Sequence, residues 1–98
     1  MEHELKDFLH YLTVERNLAH NTIISYERDL KKYVHYLREV EQLEAWGEVE
    51  RLHILHFLKF LSEQGQSART IARHLASIRS FHQFLLREKM AAQDPTVH

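Results

Sequence analysis

Apolar side chains recur at helical rather than alternating spacing through almost the whole chain. Leu5, Phe8, Leu9 and Leu12 predict a first helix over about 2–16. Asn17 is suited to end it, and Asn21 stands near the start of the next. From about 20 to 40, Ile23, Tyr26, Leu30, Tyr33, Val34 and Leu37 form one stripe. A third helix is predicted over about 50–64, where Leu52, Leu55, Leu58 and Leu61 join Ile54, Phe57 and Phe60. Apolar over much of its circumference, it is the helix expected to sit deepest. Gly65 can stop it and Ser67 can cap a fourth helix, the hydroxyl accepting from free amides near Arg69 and Thr70. Ile71, Leu75, Ile78, His82 and Leu85 then form the inward stripe, with Leu55, Leu58, Leu75 and Ile78 expected buried. Between the second and third helices, 41–50 is an acidic loop with Trp46 as its anchor. Asp94-Pro95 ends the helical pattern. Four amphipathic helices with short connections predict an all-α bundle over 1–93, with 94–98 beginning a linker.

The polar positions carry the functional signal. Opposite its apolar stripe the fourth helix shows Arg69, Arg73, Ala76, Ser80 and Arg87, flanked by Thr70 and Ser77. Small residues among arginines let a helix approach another polymer while guanidiniums reach phosphates or guanine edges. The second helix has a similar face: Asn21, Ile24, Ser25, Arg28, Lys31, Lys32 and His35. Ile24 is out of place there, unless it meets a thymine methyl. The two faces can join into one surface if these helices are neighbours.

Charge distribution sharpens this picture. The chain has a formal net charge of −1, which argues mildly against nucleic acid. That total hides two poles. Residues 41–63 hold five glutamates against Arg51 and Lys59, whereas 66–89 hold five basic side chains against Glu88 alone. Association follows the local field within a Debye length more than the sum. Two glycines and one proline fit short loops, and the lack of cysteine excludes a disulfide framework and fits a reducing cytoplasm. No apolar run is long enough to span a membrane.

Catalytic patterns are missing from these residues. His53 and His56 stand three apart with Glu50 three before, but steps of three drift round a helix and converge poorly on one ion. His74 and His82 lie on or near the core stripe and are expected to pack. Glu27/Asp29 and Glu48/Glu50, each two apart, fall on different helical faces and make poor acid–base pairs. There is no glycine-rich phosphate loop and no activated nucleophile. No catalytic residue, metal site or cofactor is expected.

Two segments resemble a known family. Asn21-Thr22-Ile23-Ile24-Ser25-Tyr26-Glu27-Arg28-Asp29-Leu30 resembles the N-T-x-x-x-Y-x-x-D-L segment of the N-terminal core-binding domain of tyrosine recombinases. Ser67, Thr70, Ile71, Arg73, Leu75, Ile78, Arg79 and Phe81 resemble that domain's last long helix, with Asp94-Pro95 as its exit. The wording of 67–89 is similar to the Xer branch, and within it to the XerD type.

The resemblance implies a SAM-like four-helix bundle forming one arm of a clamp around duplex DNA. The second and fourth helices would face the major groove of a recombination half-site. Contact candidates are Asn21, Thr22, Ser25, Arg28 and Lys32, with Arg69, Thr70, Arg73, Ser77, Arg79 and Ser80. The family's catalytic set and tyrosine nucleophile belong to a C-terminal domain beginning after Pro95, so Tyr11, Tyr26, Tyr33 and Tyr36 are not nucleophiles on this reading. The resemblance further implies chromosome dimer resolution at cell division with a XerC-type partner. A helical adaptor whose arginine face meets an acidic protein is the alternative from another class.

Overall fold

The computed structural model describes residues 1–97; His98, the end of the expected linker, lies outside the described residues. Four helices follow in order: α1 (Glu2–Val14), α2 (His20–Glu39), α3 (Arg51–Glu63) and α4 (Ala68–Arg87), with a 3₁₀ turn at Trp46–Glu48. The all-α bundle expected from the periodicity is therefore present, with no strand among the described residues. α2 and α4 pack together as a central pair; α1 and α3 each pack on both of them and not on one another.

Local chemistry explains where the helices stop. The Ser67 hydroxyl accepts from the Thr70 amide at 3.1 Å and opens α4. Gly65 closes α3 at φ 84°. Its amide reaches Ser62 O at 3.0 Å and the Gln66 amide reaches Leu61 O at 3.1 Å, the paired bonds of a Schellman end. α1 is two residues shorter than expected. The Arg16 amide turns back to Tyr11 O, and Asn17 takes φ 48° to reverse the chain. Lys89 plays the part of Gly65 at the end of α4, at φ 60°.

The core gathers at the contact of α2 and α4. Leu30, Tyr33 and Leu37 from α2, Phe81 and Leu85 from α4, and Phe57 and Leu61 from α3 are all fully buried. Phe8 of α1 closes the other side, edge-on to Phe81 at 5.3 Å. Trp46 anchors the acidic connection as expected: its ring meets Phe81 at 4.7 Å and its N–H donates to Met1 O. The apolar content of α3 misleads about its depth. Only Ile54, Phe57 and Leu61 are buried, while Leu52 is 58% and Leu55 is 47% exposed. Leu55 is thus not a core residue, and Leu58 and Leu75 are only partly covered; Ile78 is buried as expected. α3 is an outer layer on the pair rather than its centre, because it packs on α2 and α4 along one stripe and no further helix covers it among the described residues.

Candidate nucleic-acid interface

The two basic faces meet at one carboxylate. Asp29 of α2 is 2% exposed and accepts two parallel hydrogen bonds from Arg73 of α4, Nε to Oδ2 at 2.9 Å and Nη2 to Oδ1 at 3.0 Å. Arg28 Nε lies 3.9 Å from the same Oδ1. Arg28 and Arg73 therefore flank one buried acid and sit side by side at the surface. One carboxylate between two guanidiniums relieves their repulsion and fixes the register of the two helices. The pairing holds the Arg73 guanidinium above its ordinary pKa. His74 Nε2 is 3.7 Å from Asp29, yet burial outweighs that attraction and pushes the imidazole below its usual range, favouring a neutral ring.

A second bond fixes the same pair further along. Tyr33 Oη and His82 Nε2 are 2.8 Å apart in the core. Burial depresses His82 to about 4, against a weaker pull from Asp94, and raises the Tyr33 phenol far above its normal value.

The expected contact residues divide by environment. Asn21, Thr22, Arg28, Arg69 and Arg79 are exposed, and Ser25, Lys32, Thr70 and Ser80 are half-buried. Lys32 and Arg69 have no carboxylate within ion-pair distance among the described residues, whereas Lys31 is tied to Glu27 at 3.3 Å and Arg38 to Glu2. Arg28 also leans toward Ser25 Oγ at 3.5 Å. Thr70 belongs to the α4 cap, its hydroxyl accepting from Ser67. Ser77 is only 6% exposed and donates to Arg73 O at 3.2 Å. Its hydroxyl is thus engaged with the helix backbone beneath Arg73. Arg79 faces away from α2, in a cleft with Leu55, Leu58 and Leu75. Ile24 is 43% exposed beside the α2 cations.

Other charged groups lie off this face. The Arg87 guanidinium stands 4.4 Å over the Tyr11 ring and donates to its hydroxyl at 3.0 Å. His53 accepts from the Glu50 amide at the start of α3, and His56 pairs with Glu41 at 2.9 Å. Asp94 binds the Thr96 amide and hydroxyl, folding the last described residues into a turn. Among the described residues no helix is long and apolar enough to cross a membrane. Asp29 enters the sequence pattern only as the acid of the N-T-x-x-x-Y-x-x-D-L segment and as the neighbour of Glu27; an acid inside a basic face is the signal that marks it as a partner for Arg73.

The chain is similar to known proteins over its whole length. The phage integrase N-terminal SAM-like domain matches residues 5–89. Across all 98 residues the chain is 45% identical to a tyrosine recombinase XerD of Oceanobacillus iheyensis. It is 52% identical over the same length to a tyrosine recombinase XerD of Halalkalibacterium halodurans, and 46% identical over 97 residues to that of Staphylococcus aureus. It spans 32–33% of the length of these relatives. No solved structure gives a significant match.

Proposed function

The chain belongs to the phage integrase N-terminal SAM-like domain family, and from that premise we propose that it grips duplex DNA through the joined faces of α2 and α4. The observation that carries this reading is the junction at Asp29. It sets Arg28 and Arg73 side by side, with Lys32 and Arg69 nearby on their helices and without an acidic partner among the described residues. Ala72 and Ala76 are exposed on α4, so the helix can come close to a groove without bulky side chains in the way. The contact set is Asn21, Thr22, Ser25, Arg28, Lys32, Arg69, Thr70, Arg73 and Ser80. Arg79 serves from the flank, and Ser77 supports the backbone beneath Arg73.

The DNA is a recombination half-site. In the full-length protein this domain is one arm of a XerD-like tyrosine recombinase that resolves chromosome dimers with a XerC-type partner. Strand cleavage is left to a further domain. The four tyrosines here serve structure: Tyr33 and Tyr36 are buried, and Tyr11 and Tyr26 pack on Phe8.

The test is titration of the chain with a fluorescent duplex and, in parallel, with polyglutamate of matched charge. Saturable binding to the duplex that the acidic polymer displaces poorly is expected. Tighter binding to polyglutamate would favour the adaptor reading. Incubation with a nicked duplex is expected to leave no covalent adduct on a denaturing gel.

A further inference from the structure

We infer that Asp29 is a positioning residue that makes Arg73 a reader of base edges rather than a phosphate anchor. The inference rests on the DNA-gripping role proposed above and concerns how that surface divides its work. Arg73 spends Nε–H and one Nη2–H on Asp29, at 2.9 and 3.0 Å. A guanidinium has five N–H donors in one plane, so two on Nη1 and one on Nη2 remain. None of these has a partner among the described residues, and the Arg73 side chain is 45% exposed while Asp29 behind it is 2% exposed. The free outer edge offers two parallel donors. That is the pattern a guanine presents acceptors for, at O6 and N7.

Charge and rigidity both favour this assignment. The Asp29–Arg73 pair is close to neutral as a unit, so it gains less at a phosphate and displaces fewer counterions than a free cation. A base edge carries no net charge and selects on donor geometry instead. Arg73 is already held in one orientation by two bonds, which lowers the side-chain entropy lost on contact. Lys32 and Arg69 differ in both respects. They have no ion-pair partner among the described residues, and they suit phosphates. Exposed Ala72 and Ala76 adjoin Arg73 and leave room for a base edge to come within reach.

Selection from a randomised duplex pool tests this with three proteins: the wild-type chain, Arg73→Lys and Asp29→Asn. Helicity and melting are checked first by circular dichroism. The wild type is expected to enrich a guanine at one position. Both variants should flatten that position by roughly 5- to 150-fold in preference while keeping the others. Asp29→Asn frees a cation, so it should also steepen the salt dependence of duplex binding by about 0.9 in log–log slope. If Arg73 only neutralises Asp29 within the fold, both variants melt earlier yet enrich the wild-type sequence, and the inference is overturned. Should Asp29→Asn fail to fold, Arg73→Lys decides alone, since it keeps a cation beside Asp29 and removes only the planar fork. Absence of both enrichment and salt-dependent binding in the wild type would sink the DNA-gripping role itself, a result distinct from unaltered enrichment in the variants.

Discussion

α3 and α4 both pack on α2, yet they leave opposite surfaces to solvent. α4 turns out Arg69, Ala72, Arg73, Ala76 and Arg79, whereas α3 turns out Leu52, Leu55, His56 and Lys59. The more apolar helix is the less deeply placed. Depth here follows the number of neighbours a helix touches, and α4 meets three helices where α3 meets two. α4 is also tied to α2 by two polar links, Asp29–Arg73 and Tyr33–His82, while on α3 the side chain of His56 reaches Glu41 in the connection. A surface held in register from beneath can present side chains in fixed relation to one another. One packed mainly through Ile54, Phe57 and Leu61 has less reason to.

Truncation gives the largest contrast. Phe81→Ala, at the meeting of α4, α1 and Trp46, is expected to cost roughly 3–5 kcal/mol in urea unfolding. Leu52→Ala on the open side of α3 is expected within about 0.5 kcal/mol of wild type. Comparable losses at both sites would erase the distinction between the helices.

Acid titration probes the link beneath α4. His82 has a folded-state value of about 4 against 6.5 when free, so the unfolded chain binds the proton more readily between those values. Its contribution is intact above pH 6.5 and is lost as pH falls toward 4, by roughly 3 kcal/mol. Urea unfolding at several pH values should show this loss in the wild type and lack it in His82→Gln, whose side chain does not titrate.

The helix ends provide a smaller contrast. Gly65 at φ 84° closes α3 without strain, whereas Lys89 holds φ 60° at the end of α4. Gly65→Ala is expected to destabilise by about 1 kcal/mol and Lys89→Gly to stabilise by up to about 1 kcal/mol. Thermal melts resolve both signs.

These contrasts also mark how far the sequence could be read. Local signals carried well: Ser67 caps α4, Gly65 and Asn17 reverse the chain, and the helix boundaries fall within about two residues of their expected places, except that α4 stops at Arg87, where Lys89 reverses the chain, rather than at Asp94-Pro95. On α4, whose two faces differ, periodicity found Ile78, His82 and Leu85, while Ile71 and Leu75 are only partly covered and Phe81 and Phe84 are buried beside them. On α3 it could not choose between Leu52–Leu55 and Ile54–Phe57–Leu61, since both sides are apolar; contact with α2 and α4 made that choice. The Asp29–Arg73 pair spans 44 residues, and no local period reveals such a partnership. The same holds for Ser77, whose flank position on the helical wheel left its burial open.

The central claim is that α2 and α4, and not α3, meet nucleic acid. The direct measurement is the salt dependence of duplex binding for the wild type, Lys32→Ala, Arg69→Ala and Lys59→Ala. With Arg28, Lys32 and Arg69 each meeting a phosphate and Arg73 neutralised by Asp29, the log–log slope is expected near roughly −2.7. Lys32→Ala and Arg69→Ala should each make it shallower by about 0.9. Lys59→Ala should leave it unchanged. Equal changes from Lys59→Ala and Arg69→Ala would contradict the claim, because they would show binding spread over the whole surface.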